Sequence, residues 1–250
     1  MRSVLPALFA LALGAAILAG CAGGPEEIPP AKVLYERAQT SLIVEDWNRA
    51  ATQFRDLIST YPFGKYATSA RLKLIYAYYR AGNADEAASQ ADDFLKENPA
   101  SPYAGYALFL KGISYASSMQ PGILDSWFNS SMAERTPINQ RKAYTAFQQL
   151  IRRYPDTPYA QKAKQWMVFV RNRLASYNLS VARFYADREE WVAAVNRANI
   201  VVTQFQHTPS VKPALAIMAQ GYRALGEDKL AAAAQAWYDY NYGPKARSGK

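Results

Sequence analysis

"AATQFRDLISTYP" (residues 50–62) and "AYTAFQQLIRRYP" (residues 143–155) decide the fold. Each opens on an alanine and reaches a proline 12 residues later, and "AASQADDFLKENP" (residues 87–99) keeps the same interval. Between alanine and proline the apolar side chains recur at helical spacing: Phe54 with Leu57, and Phe147 with Leu150, share one face. A small alanine lets the two helices of a hairpin approach, while the proline stops the second helix and opens the next hairpin. An interval kept three times in one chain implies a structural repeat.

The preceding segments supply the other half of each hairpin. "GISY" places Gly112 and Tyr115 at a G-x-x-Y step, and "AGNADEAA" (Gly82, Ala87) and "LGEDKLAA" (Gly226, Ala231) read as the turn that opens the second helix. In "EEWVAAVNRA" and "EDWNRAA", Trp191 and Trp47 each stand three residues before an alanine. The pattern matches the tetratricopeptide repeat, whose period is about 34 residues. Successive marker alanines (50, 87, 143, 194 and 231) are 37, 56, 51 and 37 residues apart.

The long interval of 56 contains "SMQPGILDSWFNSSMAERTPIN", which carries loop residues (Pro121, Gly122, Pro137) and the aromatics Trp127 and Phe128. The interval of 51 predicts a long helix from roughly Pro158 to Arg188, apolar at Trp166, Phe169, Val170 and Leu174. In the fourth unit Gln206 stands where proline is expected, which weakens that boundary.

The expected fold is therefore all-α: a solenoid of about five helical hairpins, with an insert over residues 119–139 in the third and a long helix opening the fourth. Repeats 1–3 fall in residues 31–155 and repeats 4–5 in 156–242, with a disordered tail over 243–250. Stacked hairpins bury a continuous core and leave a groove suited to segments of other proteins. In "LIYAYY", Tyr76, Tyr78 and Tyr79 cannot all share one helix face, so at least one must meet the groove or a neighbour.

The chain's one cysteine sits in "ILAGCAGGPEE" (residues 17–27). A cationic start with Arg2, an apolar run from Val4 to Leu18 and the small residues Ala19 and Gly20 make an export signal over residues 1–20. "LAGC" resembles the lipobox of bacterial lipoproteins, in which the cysteine becomes the acylated first residue. Two or more acyl chains give a stable hold on a membrane, where one is marginal. Ala22, in place of aspartate, points to sorting to the outer membrane, and residues 21–30 read as the lipidated cysteine and a flexible Gly/Pro leash.

With Cys21 consumed by lipidation, disulfides and cysteine metal sites are excluded, and no cofactor is implied. His207 in "QFQHTP" reads as a surface-loop residue, since a metal site or triad needs partners nearby. Asp85-Glu86 and Glu189-Glu190 read as helix starts and not as a glycosidase pair. An enzyme is therefore not expected. Net charge is +9, yet residues 21–150 hold 13 basic and 13 acidic side chains, whereas residues 151–250 hold 15 and 7. The C-terminal part thus presents itself to an acidic partner or anionic headgroups. The export signal disfavours nucleic acid as a partner.

"YPFGKYATSARLKLIYAYYRAG", "IRRYPDTPYAQKAKQWMVFVRNRLASYNLSVARFYADREEWVAAVNRA" and "TPSVKPALAIMAQGYRALG" resemble the BamD (ComL-like) family of lipoproteins of the β-barrel assembly machine, from Cys21 to about Tyr242. The resemblance implies a non-enzymatic scaffold, lipid-anchored on the periplasmic face of the outer membrane. Implied partners are the periplasmic domains of the barrel-forming subunit BamA, other assembly-machine lipoproteins and unfolded outer-membrane barrel proteins. It places substrate contacts at Tyr61, Phe63 and Gly64 of "YPFG" and at Tyr79, and BamA contacts at Arg197 and Arg188. A generic envelope adaptor lacks these long motifs, and a lytic enzyme would need a catalytic domain for which residues 31–241 leave no room. "SWFNSSMAERTPIN" and "NPASPYAGY" depart from the family pattern, so no accessory-subunit contact is carried to the insert.

Overall fold

The computed structural model describes residues 28–117 and 137–243. Cys21, the export signal, most of the third-repeat insert and the end of the tail lie outside them. Among the described residues ten helices follow one another: α1 (Ala31–Ile43), α2 (Trp47–Thr60), α3 (Ala67–Ala81), α4 (Ala84–Glu97), α5 (Ala104–Ser117), α6 (Ile138–Arg153), α7 (Pro158–Ala186), α8 (Trp191–Gln204), α9 (Val211–Ala224) and α10 (Asp228–Tyr242). Each packs on its sequence neighbour, giving five hairpins stacked as a tetratricopeptide-type solenoid. The interruption in the third hairpin falls between α5 and α6, and α7, at 29 residues, opens the fourth with Pro158 in its first turn. Of the expected insert, Ile138 and Asn139 belong to α6 and Pro137 is its N-cap.

The marker alanines do what their size allows. Ala50, Ala87, Ala143 and Ala194 are wholly buried and Ala231 nearly so. One and two turns further on lie the core side chains: Phe54 and Leu57, Ala91 and Phe94, Phe147 and Leu150, Ala198 and Val201. In the third hairpin the approach is closer still, since a Cβ on Gly112 of α5 would meet the Phe147 ring at 2.4 Å.

Both ends of the second helices follow the same interval. Tyr61, Asn98, Tyr154 and Phe205, each 11 residues after its alanine, are C-caps with φ between −135° and −123°. The fourth unit conforms although Gln206 replaces proline, which corrects the expectation of a weakened boundary. There His207 takes a positive φ of 64°, and Thr208 folds its hydroxyl back to the Phe205 carbonyl at 2.8 Å.

The turns that open the second helices are equally regular. Five residues before the alanine stands a left-handed residue: Glu45 (φ 59°), Gly82 (φ 82°), Glu189 (φ 59°) and Gly226 (φ 77°). The next amide then bonds five residues back, Asp46 to Ser41, Asn83 to Tyr78, Glu190 to Tyr185 and Glu227 to Tyr222. This is the bond that closes a Schellman motif and satisfies a helix-end carbonyl.

First helices from the second hairpin onward also touch one another, α3 to α5, α5 to α7 and α7 to α9, whereas second helices make no comparable contact. The stack is tighter on the side of the first helices. It opens into furrows between second helices, and one of these positions the basic site below.

Candidate interaction sites

The "YPFG" turn joins α2 to α3. Phe63 stands 89% exposed, and Gly64 takes φ +136°. With Pro62, Thr68, Arg71 and Glu97 they line a cavity of about 360 Å³. Its far side is braced by an ion pair, Arg71 to Glu97 at 3.0 Å, and Arg71 also donates to the Pro62 carbonyl at 3.4 Å. Tyr61 does not share the cavity: its ring packs on the core of the first hairpin and its hydroxyl donates to the Pro29 carbonyl at 3.2 Å. Tyr61 thus holds the approach to α1 in place.

Tyr76, Tyr78 and Tyr79 of α3 are all half-buried, and they divide between neighbours. The Tyr78 hydroxyl accepts from Arg55 of α2 at 3.4 Å. Tyr76 accepts from Arg80 at 2.8 Å, and the Arg80 guanidinium lies 4.1 Å from the centre of the Trp47 ring, within cation–π range. The Tyr79 ring is 6.0 Å from that of Tyr76, away from the Phe63 cavity. Tyr106 of α5, 5.0 Å from Tyr159 of α7, extends the aromatic run to the third and fourth hairpins. Burial, and then the nearby Tyr159, Tyr76 and Tyr79, push its hydroxyl up to about 12.

Arg197 of α8 and Arg188 do not meet. Arg188, just past α7, is exposed, stacks 3.6 Å from the Phe184 ring centre and donates to the Phe184 carbonyl at 2.9 Å. Arg197 points into the furrow between α6 and α8, floored by α7, where a cavity of about 530 Å³ also receives Arg141 and Arg171. Its guanidinium donates to Asn178 Oδ1 at 3.4 Å, and the buried Asn178 amide donates to the Leu174 carbonyl at 2.9 Å.

One titratable cluster lies elsewhere. Lys142 at the start of α6 donates to Asp85 Oδ1 at 2.8 Å, and Tyr115 of α5 donates to the same oxygen at 3.0 Å. These bonds, Lys142's first, hold the Asp85 carboxyl below its ordinary value. Burial and then Asp85 raise the Tyr115 hydroxyl, and Asp85 raises Lys142. The cluster ties the second hairpin to both helices of the third at the base of the insert. No group of acidic, histidine or cysteine side chains among the described residues is arranged to hold a metal ion. No described helix is long and apolar enough to cross a membrane.

The model of the YfiO family, described as outer membrane lipoprotein, matches residues 28–237. This chain belongs to the YfiO outer-membrane lipoprotein family. Among similar proteins are those named outer membrane protein assembly factor BamD from Vibrio cholerae, 33% identical over 86% of this chain and 89% of that one, and from Haemophilus influenzae, 32% identical over 93% and 89%. The protein of that name from Neisseria meningitidis serogroup A is 33% identical over 85% of this chain and 79% of its own. The matched span of the YfiO model covers all ten helices except the end of α10.

Within this YfiO-family chain, Arg141, Arg171 and Asn178 were not singled out by sequence reasoning. A signal existed for two of them. Arg171 and Asn178 are seven residues apart on a helix that the sequence predicts, so they share a face two turns apart. Arg141 lies beside the insert, where no helical register could be read from the loop residues that precede it.

Proposed function

We infer that this chain is a lipid-anchored periplasmic scaffold of the outer-membrane β-barrel assembly machine, held to the membrane through Cys21. In this reading it carries out no catalysis. Its C-terminal repeats dock the periplasmic domains of the barrel-forming BamA subunit around Arg197. Its N-terminal repeats meet unfolded outer-membrane proteins at the Phe63–Gly64 turn, with other assembly-machine lipoproteins as further partners. The observation that carries the reading is the similarity over most of both chains to proteins named outer membrane protein assembly factor BamD.

The residue assignments rest on chemistry. Phe63 offers an exposed ring at a turn whose backbone is open, suited to an extended apolar segment. Arg197 offers a guanidinium already oriented by Asn178, and arginine is enriched among interface residues that dominate binding energy.

The test is affinity recovery of the native lipidated protein from gently solubilised membranes, with mass spectrometry and a salt series. Recovery of a large barrel protein with periplasmic domains, falling as salt rises, is expected. Recovery of cell-wall enzymes with no barrel partner would replace the reading with that of an envelope adaptor.

A further inference from the structure

First helices stack on first helices, so the turns that follow the second helices, residues 61–66, 98–103 and 154–157, lie along one edge of the first three hairpins. These turns and the helix ends beside them carry the exposed cations Lys65, Lys96, Arg152 and Arg153, with Lys162 one turn into α7. None of the five joins the ion pairs formed among the described residues. The acids nearest the edge are Glu97, taken by Arg71 at 3.0 Å, and Asp156, with Asp56 and Asp93 set one turn back. At the opposite edge acids and bases are mixed, and Arg80 and Lys142 pair with Glu45 and Asp85. Two exposed aromatic rings share the basic edge, Phe63 at 89% and Tyr103 at 52%.

The chain also enters the fold at this edge. α1 begins here behind its N-cap Pro30, and the Tyr61 hydroxyl holds the Pro29 carbonyl at 3.2 Å. Pro29 is eight residues from Cys21. Eight residues reach at most about 29 Å when fully extended, so acyl chains on Cys21 keep this edge, and not the opposite one, beside the bilayer. We propose that the edge rests on the bilayer surface, its lysines and arginines against anionic phospholipid headgroups and its two aromatic rings at the interface. Basic side chains are drawn to such headgroups over about a Debye length, and aromatic rings favour the headgroup level. An acidic protein would satisfy the cations alone, whereas the short leash and the exposed rings favour a membrane. The proposal rests on the Cys21 anchor of the reading above and adds to it an orientation, with the Phe63–Gly64 turn presented at the membrane.

The experiment uses the full mature chain with Cys21→Ser, which cannot be acylated, floated with vesicles of phosphatidylglycerol and phosphatidylcholine in equal parts, beside vesicles of phosphatidylcholine alone. Binding is expected only to the anionic vesicles, and it weakens as salt rises. Lys65→Gln with Lys96→Gln, and Arg152→Gln with Arg153→Gln, each lower the partition coefficient by about tenfold or more. Phe63→Ala lowers it by a smaller factor. Arg183→Gln with Lys229→Gln removes as much charge from exposed sites in the last two hairpins and leaves partition within about twofold of wild type, since the attraction fades within a Debye length. Helical circular dichroism stays at wild-type values throughout, because every substituted side chain in the folded part is exposed.

Binding to neither kind of vesicle, equal binding to both, or wild-type partition in either paired variant of the edge overturns the proposal. So does an equal loss in the Arg183→Gln, Lys229→Gln chain, which would make net charge and not the edge responsible. Absent vesicle binding, with an acidic protein lost from membrane recovery in the edge variants, would assign the edge to that protein. The intact mass of the native chain separates this inference from the anchor. An unacylated Cys21, in a chain whose vesicle binding needs the edge cations, refutes the anchor and leaves the edge. An acylated Cys21, in a chain whose Cys21→Ser form ignores anionic vesicles, does the reverse.

Discussion

Up to Lys142 the chain answers many of its own charges: Arg71 lies 3.0 Å from Glu97, Arg80 3.9 Å from Glu45, Lys111 2.7 Å from Asp92 and Lys142 2.8 Å from Asp85. Beyond Lys142, Arg171 and Arg188 turn to backbone carbonyls, and Arg197 and Arg223 to the amides of Asn178 and Gln235. The first arrangement spends its electrostatics between neighbouring repeats. In the second these four guanidiniums are met by neutral groups. Substitutions in the first region should therefore register, weakly, in stability, whereas those in the second should register in binding.

The contrast depends on both regions sharing one stack, and Phe147 is where they join. It is wholly buried, its ring 6.2 Å from that of Phe109 and stacked at 6.5 Å on Trp166 of the long helix. Phe147→Ala is expected to cost about 3–5 kcal/mol in urea denaturation, the usual range for emptying a buried aromatic site. A loss under about 1 kcal/mol would mean that the site collapses around the deletion and that the regions are less firmly joined than the packing implies.

A second substitution converts one region into the other. Ile200 of α8 lines the arginine furrow, and Ile200→Glu gives that furrow an acid of its own. Recovery of the barrel partner from gently solubilised membranes should fall about tenfold and lose most of its salt dependence. Melting temperature should barely move, as Ile200 is already half-exposed. Unchanged recovery would show that the partner docks elsewhere.

The fold was largely legible because the marker alanine, the core residues after it and the cap at its end lie within one helix, where a fixed interval survives translation into a face. The fourth boundary was misjudged for a physical reason. Proline is one way to end a helix, and Phe205 with His207 ends it by conformation alone. The sites were less legible. Tyr61 and Phe63 are two residues apart, yet one packs on the core while the other stands in solvent, a difference set by α1 and absent from the turn's own composition. Arg141, Arg171 and Arg197 come from three helices, and only the packing that leaves second helices apart brings them together.

A smaller effect tests the turns that keep both regions in register. Left-handed backbone suits glycine, and a side chain there costs about 1–2 kcal/mol, partly offset by the reduced freedom of the unfolded chain. Gly82→Ala should accordingly destabilise by about 1 kcal/mol, while Glu189→Gly, at the equivalent turn of the fourth hairpin, should be neutral or stabilising by a few tenths. Equal and opposite exchanges at equivalent turns, measured by thermal unfolding, separate backbone strain from the loss of a particular contact.

The smallest expected change belongs to the self-neutralised region. Asp85 links Lys142 and Tyr115, and its side chain is 75% exposed, so solvent screening limits the link to about 0.5 kcal/mol. Its carboxyl is held below the ordinary value in the folded chain, first by Lys142 and then by Tyr115. The unfolded chain therefore takes up a proton at higher pH than the folded one. The contribution is fully present above the unfolded value of about 3.9 and disappears as pH falls through the depressed folded value. Asp85→Asn should be slightly less stable than wild type at neutral pH, and the gap should close on acidification. A gap that persists in acid would show that charge is not its source. The hydrogen bond from Tyr115 would not account for it either, because it needs only an acceptor oxygen, which a protonated carboxyl and a carboxamide both supply.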